Sequence, residues 1–188
     1  MGDPRVLREP QVDIFAPLRQ FYSDGELPKP ERLEGAQIPQ PYRSLLVHER
    51  DMTLVLQEHF HATLTLRVLA KRQEPHALRR QVVLITEGDQ RVAEFGAILI
   101  HTAAFDEEPR ALIEQCQRPL GTILQQFGIK HRSNPTGYFR VWSDAVMQDA
   151  LEQGSAGWLY GRNNSLVHAD GRPLAEVVEI LPDLDRSV

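Results

Sequence analysis

Two apolar runs, residues 79–86 and 91–101, flank the tripeptide Glu87-Gly88-Asp89. Runs of this kind around a glycine-centred turn fold back as an antiparallel hairpin, with a loop free to exceed two residues. The segment before them, 63–69, alternates: Leu64, Leu66 and Val68 point one way, Thr65 and Arg67 the other, which is the period of a half-buried strand. Three consecutive strands therefore anchor the chain.

The remaining pattern dresses that core with helices. Asp51-Met52-Thr53 opens a helix through about residue 60, with Asp51 as its N-cap. Residues 109–117 and 120–127 read as two helices broken at Pro119. Residues 130–132 and 137–142 read as strand, separated by the turn signal Ser133-Asn134-Pro135. Ser143 caps a helix running to 153, and a last hairpin joins 158–168 to 174–181 through Ala169-Asp170-Gly171. The order implies an α+β domain with a single antiparallel sheet covered by helices.

Seven of the thirteen prolines fall in residues 1–41, so that stretch reads as an arm, and 42–188 as the domain proper. Within the arm Ile14, Phe15, Leu18, Phe21 and Tyr22 recur at helical spacing, which suggests a short docking helix over 13–22. Charges and prolines fill the first 20 residues where a signal peptide needs an apolar stretch. Val6 stands where N-myristoylation wants Ser or Thr.

A net charge of −5, with no long basic block, argues against a phosphate-tracking nucleic-acid surface. The apolar runs are too short for a membrane helix. Cys116 is the only cysteine, which excludes an internal disulfide and fits a reducing cytoplasm. His59 and His61 flank Phe60 without metal-ligand geometry, and no cofactor motif is present.

Four positions carry the chemistry. Arg80 shares a strand face with Val82 and Leu84, and a guanidinium on an apolar face needs an anion, either a ligand or a core carboxylate, unless an edge position lets it snorkel to water. Glu176 lies among Leu174, Val178 and Ile180, whereas Glu179 falls on the other face with Val177. A carboxyl in such a setting holds its proton and acts as a donor, unless it simply pairs with an arginine. Gly161-Arg162-Asn163-Asn164 interrupts a strand and offers either ligand contacts or exposed turn chemistry. His48, in Leu45-Leu46-Val47-His48-Glu49-Arg50-Asp51, either lines a pocket or caps backbone groups between a buried strand and the helix.

Taken in order, LLVHERDMT (45–53), LRRQVVL (78–84), RPLGTIL (118–124) and WLYGRNNSLVHADGRPLAEVVEILP (158–182) resemble the chorismate lyase family and its ligand-binding cousins. The resemblance implies about six antiparallel strands flanked by helices, with a buried cavity for an aromatic or enol-ether carboxylate. It further implies two arginines on carboxylates and a glutamate near the ring oxygen, acting without cofactor or metal. Arg80 matches the first arginine. Ungapped counting places the second at Phe95 and the glutamate at Val178, so Arg162 becomes the candidate second cation and Glu176 the candidate acid, with Glu179 one residue out of register. Two readings follow: a carbon–oxygen lyase using Arg80 and Glu176, or a sensor or carrier that binds its ligand without turnover. Either takes a small carboxylate as partner, and both monomer and homodimer stay open.

Overall fold

In the computed structural model, which describes residues 13–23 and 26–184, one antiparallel sheet carries every helix. The first twelve residues, where the expectations about a signal peptide, myristoylation and the start of the arm fall, lie outside the described residues. The elements run α1 (Ala16–Arg19), β1 (Glu31–Leu33), α2 (Tyr42–Leu46), α3 (Met52–Phe60), β2 (Leu64–Glu74), β3 (Ala77–Thr86) and β4 (Val92–Ile100). They continue with α4 (Glu107–Gln115), α5 (Leu120–Gln126), β5 (His131–Trp142), α6 (Ala145–Ala150), β6 (Trp158–His168) and β7 (Pro173–Ile180). Strand order is β1-β5-β6-β7-β4-β3-β2, so β7 and β4 sit at the centre. The fold is α+β and chorismate lyase-like, with seven strands among the described residues where the sequence pattern gives six. The extra one is the three-residue β1, too short to leave a periodic signal.

The hairpin of β3 and β4 closes through Gly88 at φ +93°, a conformation that glycine adopts without steric cost. Near that turn β4 carries a bulge: Leu84 pairs with Glu94 and Ile85 with Val92, leaving Ala93 unopposed. An extra residue reverses which side chains face which way beyond it.

His131–Trp142 form one strand, not two pieces around a turn. Pro135 is tolerated because β5 borders β6 there, while β1 pairs only with residues 138–140, leaving the proline on an unpaired edge beside the bulge at Thr136. The cap of α6 is Asp144 instead of Ser143, its carboxylate accepting from the Met147 N–H at 2.8 Å. Residues 42–46 form helix α2, where a buried strand was the expectation.

Each face of the sheet has its own core. On one, Ile14, Phe15 and Leu18 pack with Phe95, Phe139, Met147, Val178 and Ile180. Phe15 meets Phe139 edge to face at 4.8 Å. On the other, α2 and α3 bury Leu46, Met52 and Leu56 against Leu84, and α4 and α5 bury Ile113, Ile123 and Leu124 against Ile98 and Ile100. Among the described residues no helix is long and apolar enough to cross a membrane.

The segment expected as an arm thus contributes to the core from residue 14 onward. Asn163 reinforces it, donating to the Ile14 carbonyl at 3.1 Å. Phe15→Ala is expected to cost about 3–5 kcal/mol, the range for truncating a fully buried phenylalanine, measured by urea denaturation. A loss below about 1 kcal/mol would show that this segment detaches without disturbing the domain.

Candidate functional site

Between the second face and its helices lies a cavity of about 70 Å3. Its floor comes from β3 (Arg80, Val82, Leu84), β4 (Glu94, Gly96, Ile98), β7 (Val177, Glu179) and β6 (Asn164, Leu166). Its roof is made by the first residues of α3 and α5, Met52-Thr53 and Leu120-Gly121. The roof is tightly closed: a Cβ added at Gly121 would lie 2.8 Å from the Thr53 hydroxyl. An engineered cavity of roughly 150 Å3 admits benzene, so a ring-sized guest needs these helix ends to separate.

At one end stands Arg80, 1% exposed. Its Nε and Nη1 have no hydrogen-bond partner. Burial works against its charge, opposed by the adjacent Cys116 thiol. Arginine stays protonated in proteins, so the cavity wall carries a cation short of acceptors.

The other end is acidic. Glu179 and Arg162 are directly opposed across β6 and β7 and form an ion pair, with Arg162 fully buried. The guanidinium is further satisfied by the loop between α2 and α3. It donates to the carbonyls of Leu46 at 3.2 Å, His48 at 2.9 Å and Arg50 at 3.4 Å. Beside the pair sits Glu94, 5% exposed, with Oε2 unpartnered. Burial first and the Glu179 carboxylate second hold its pKa well above the usual range, against the pull of Arg162. Burial thus favours the protonated form of Glu94, Glu179 is paired with Arg162 and the lining carboxylate of Asp51 with His131, and Arg80 is the lining cation that forms no ion pair among the described residues.

The segment from Leu45 to Thr53 is the roof's hinge. His48 donates from Nε2 to the Leu45 carbonyl at 2.8 Å, while its Nδ1 accepts from the Arg50 N–H and from Arg162, both at 3.2 Å. Burial, then the Arg162 charge, push its pKa down. Asp51 occupies the N-cap position of α3, but its side chain makes no cap bond. Oδ1 turns instead to His131 Nε2 at 2.8 Å. The other ring nitrogen of His131 faces the Ile129 carbonyl at 2.8 Å. Two oxygen acceptors require two N–H donors, so the ring is an imidazolium, and the bond to Asp51 raises its pKa against the cost of burial.

The expected residues thus divide. Arg80 lines the cavity, and Arg162 bounds its acidic end through Glu179. His48 does not line it and fastens the hinge. Phe95 and Val178 face the opposite core beneath α1. The bulge at Ala93 explains Phe95, since counting across it lands on the wrong face. Glu176 lies outside, its side chain 46% exposed and 4.0 Å from His101. The cavity carboxylate of β7 is Glu179, which shares its face with Val177. Of the two asparagines, Asn163 holds the N-terminal segment, and Asn164 lines the cavity while donating to the Ser133 hydroxyl at 2.9 Å. Glu94 escaped the sequence reading, although a lone carboxylate in an apolar strand is the same signal that marked Arg80. Among the described residues no cluster of three or more His, Cys, Asp or Glu could hold a metal.

No protein-family model matches the chain, and no curated protein does. Solved structures are similar in fold. PhnF from Mycobacterium smegmatis superposes with a TM-score of 0.54 at 13% identity, over 93% of this chain and 96% of that one. The effector domain of the same protein gives 0.53 at 12%, over 72% and 90%. A possible transcriptional regulator, YydK from Bacillus subtilis, gives 0.50 at 11%, over 68% and 61%.

The His131–Asp51 link has a testable pH signature. Its pKa is raised above the ordinary 6.5, so the native state binds the proton more tightly than the unfolded chain. The stability it adds is complete below about pH 6.5 and is lost as pH rises through the elevated pKa. The stability gap between the protein and its His131→Gln variant should therefore narrow as pH rises from 6 to 9 in denaturation titrations. A gap constant across that window would mean that the ring is not charged.

Proposed function

We propose that this domain binds a small organic anion without turning it over, as a sensor or carrier, with Arg80 as the anchor. One observation carries the reading: a fully buried guanidinium, with two of its nitrogens lacking acceptors, on the wall of a cavity whose carboxylates Glu179 and Asp51 already have partners of their own. An uncompensated buried cation is costly, by several kcal/mol even after relaxation. A carboxylate guest accepting from Nε and a terminal nitrogen would satisfy it with a bidentate bond.

The lyase alternative has less support. The resemblance calls for two arginines on the ligand's carboxylates, and here the second, Arg162, is already committed to Glu179 and three loop carbonyls. The acid chosen to stand in for the family glutamate, Glu176, is outside the cavity. Similarity in fold to a domain described as the effector domain of PhnF is in keeping with ligand binding.

The test is a titration with benzoate, 4-hydroxybenzoate and pentanoate, followed by calorimetry and by amide shifts. Arg80→Leu should weaken whichever carboxylate binds at least tenfold, about 1.4 kcal/mol or more. The same substitution should leave the unliganded protein equally or more stable, because it removes an unpaired buried charge. Unchanged affinity in the variant, or binding of none of the three at millimolar concentration, would overturn the anion reading. Incubation with chorismate should yield no 4-hydroxybenzoate or pyruvate, and their appearance would replace the sensor with the lyase.

A further inference from the structure

We propose that Glu94 is the specificity-determining residue of this cavity: it selects guests that carry a proton-donating group, hydroxyl or ammonium, at the end remote from the anion. The proposal rests on Arg80 being the anion anchor and adds what the opposite end recognises.

Two observations lead there. The cavity wall holds two buried charged side chains with unpartnered atoms: Arg80 at Nε and Nη1, and Glu94 at Oε2. They stand at opposite ends of the floor. Arg80 pairs with Ile98, while Glu94 pairs with Leu84, four residues further along β3. Strand rise separates those points by roughly 13 Å between backbones.

The local charges explain why Glu94 is free to take a guest. Arg162, on β6, is the nearest cation, but it is held by Glu179 and the hinge carbonyls and has no bond with Glu94. Gly96, two residues further along the same strand, is packed too closely against β7 to carry a side chain beside Glu94: a Cβ built there would come within 3.5 Å of Glu94 Oε1 and would collide with the Val178 carbonyl at 2.3 Å. A buried oxygen that meets no protein donor loses free energy until something donates to it. A guest with a bare methyl at this end leaves that loss in place. A hydroxyl relieves it while Glu94 keeps its proton, and an ammonium relieves it by forming an ion pair as that proton departs.

Selectivity from a buried polar partner is large because the mismatched guest leaves the site unpaired. A donor-bearing guest should therefore outbind its methyl analogue by tenfold or more.

Three guests of equal length settle the matter: pentanoate, 5-hydroxypentanoate and 5-aminopentanoate, titrated against the whole chain and its Glu94→Gln and Glu94→Leu variants. The expected result is at least tenfold tighter binding of the hydroxy or the amino acid than of pentanoate. In Glu94→Leu that preference should collapse to within about threefold. Glu94→Gln should keep a hydroxyl preference and lose an ammonium one. Because Gln is nearly isosteric with Glu, it keeps the test alive if the Leu variant folds poorly. Equal affinity for all three guests, or a preference that survives in both variants, would overturn the role of Glu94. Either outcome would leave Arg80 untouched, since its own test reads the loss in Arg80→Leu of whichever carboxylate binds, irrespective of the group at the other end.

Discussion

The buried ion pair of Arg162 and Glu179 is the interaction on which the site depends. It joins β6 to β7 across the centre of the sheet, and its guanidinium also collects the carbonyls of Leu46, His48 and Arg50. Those carbonyls belong to an irregular loop that would otherwise bury polar backbone against an apolar face, an arrangement that is stable only when each group finds a partner. Arginine suits this position because its rigid fork of five donors serves several acceptors at once. A lysine could not hold the same loop. By fixing the hinge, Arg162 also fixes where α3 begins, and hence the height of the roof above the cavity.

The contrast with Arg80 gives the site its character. Both arginines are buried, but alternation along the strand marks only Arg80, whereas Arg162 falls in a polar stretch that reads equally as exposed turn chemistry. One is satisfied by the protein and organises structure. The other is not, and its unmet hydrogen-bonding capacity is what a ligand would supply. Burial alone does not separate the two, because both are at most 1% exposed. The difference is in the partners, which only the three-dimensional arrangement reveals.

Much of the sheet was legible in the sequence because its signal is local. The hairpin of β3 and β4 follows from two apolar runs about a glycine turn, and Arg80 with Val82 and Leu84 follows from simple alternation. What escaped was non-local or was hidden by a change of register. The bulge at Ala93 reverses the facing of later residues in β4, so counting from Gly88 reached Phe95 on the far side of the sheet. Proline content marked residues 1–41 as an arm and the helical spacing of Ile14, Phe15 and Leu18 marked a docking helix within it, but which core they join depends on where the topology brings them to the sheet. Asp51 was read as a helix cap from its neighbours in sequence. Its actual partner, His131, is 80 residues away, and no pattern within the helix could indicate it.

The roof links these elements into one response. Asp51 stands at the start of α3 and lines the cavity, while His131 lies on β5 and borders the adjoining surface cleft, which Asp51 also lines. Their bond therefore spans the boundary between the buried space and the exterior. Beside it, the close approach of Gly121 to Thr53 brings α5 against α3 and holds the enclosed volume to about 70 Å3. A guest that spans Arg80 and Glu94 would need more room than this, which the two helix ends could supply by separating. The Arg162 clamp resists movement of the hinge at residues 46–50, whereas the contact between Thr53 and Gly121 is van der Waals packing with no hydrogen bond to break. On the proposed reading, such a displacement would fall on α5, the element that follows the RPLG segment, and would carry occupancy of the cavity to the protein's surface.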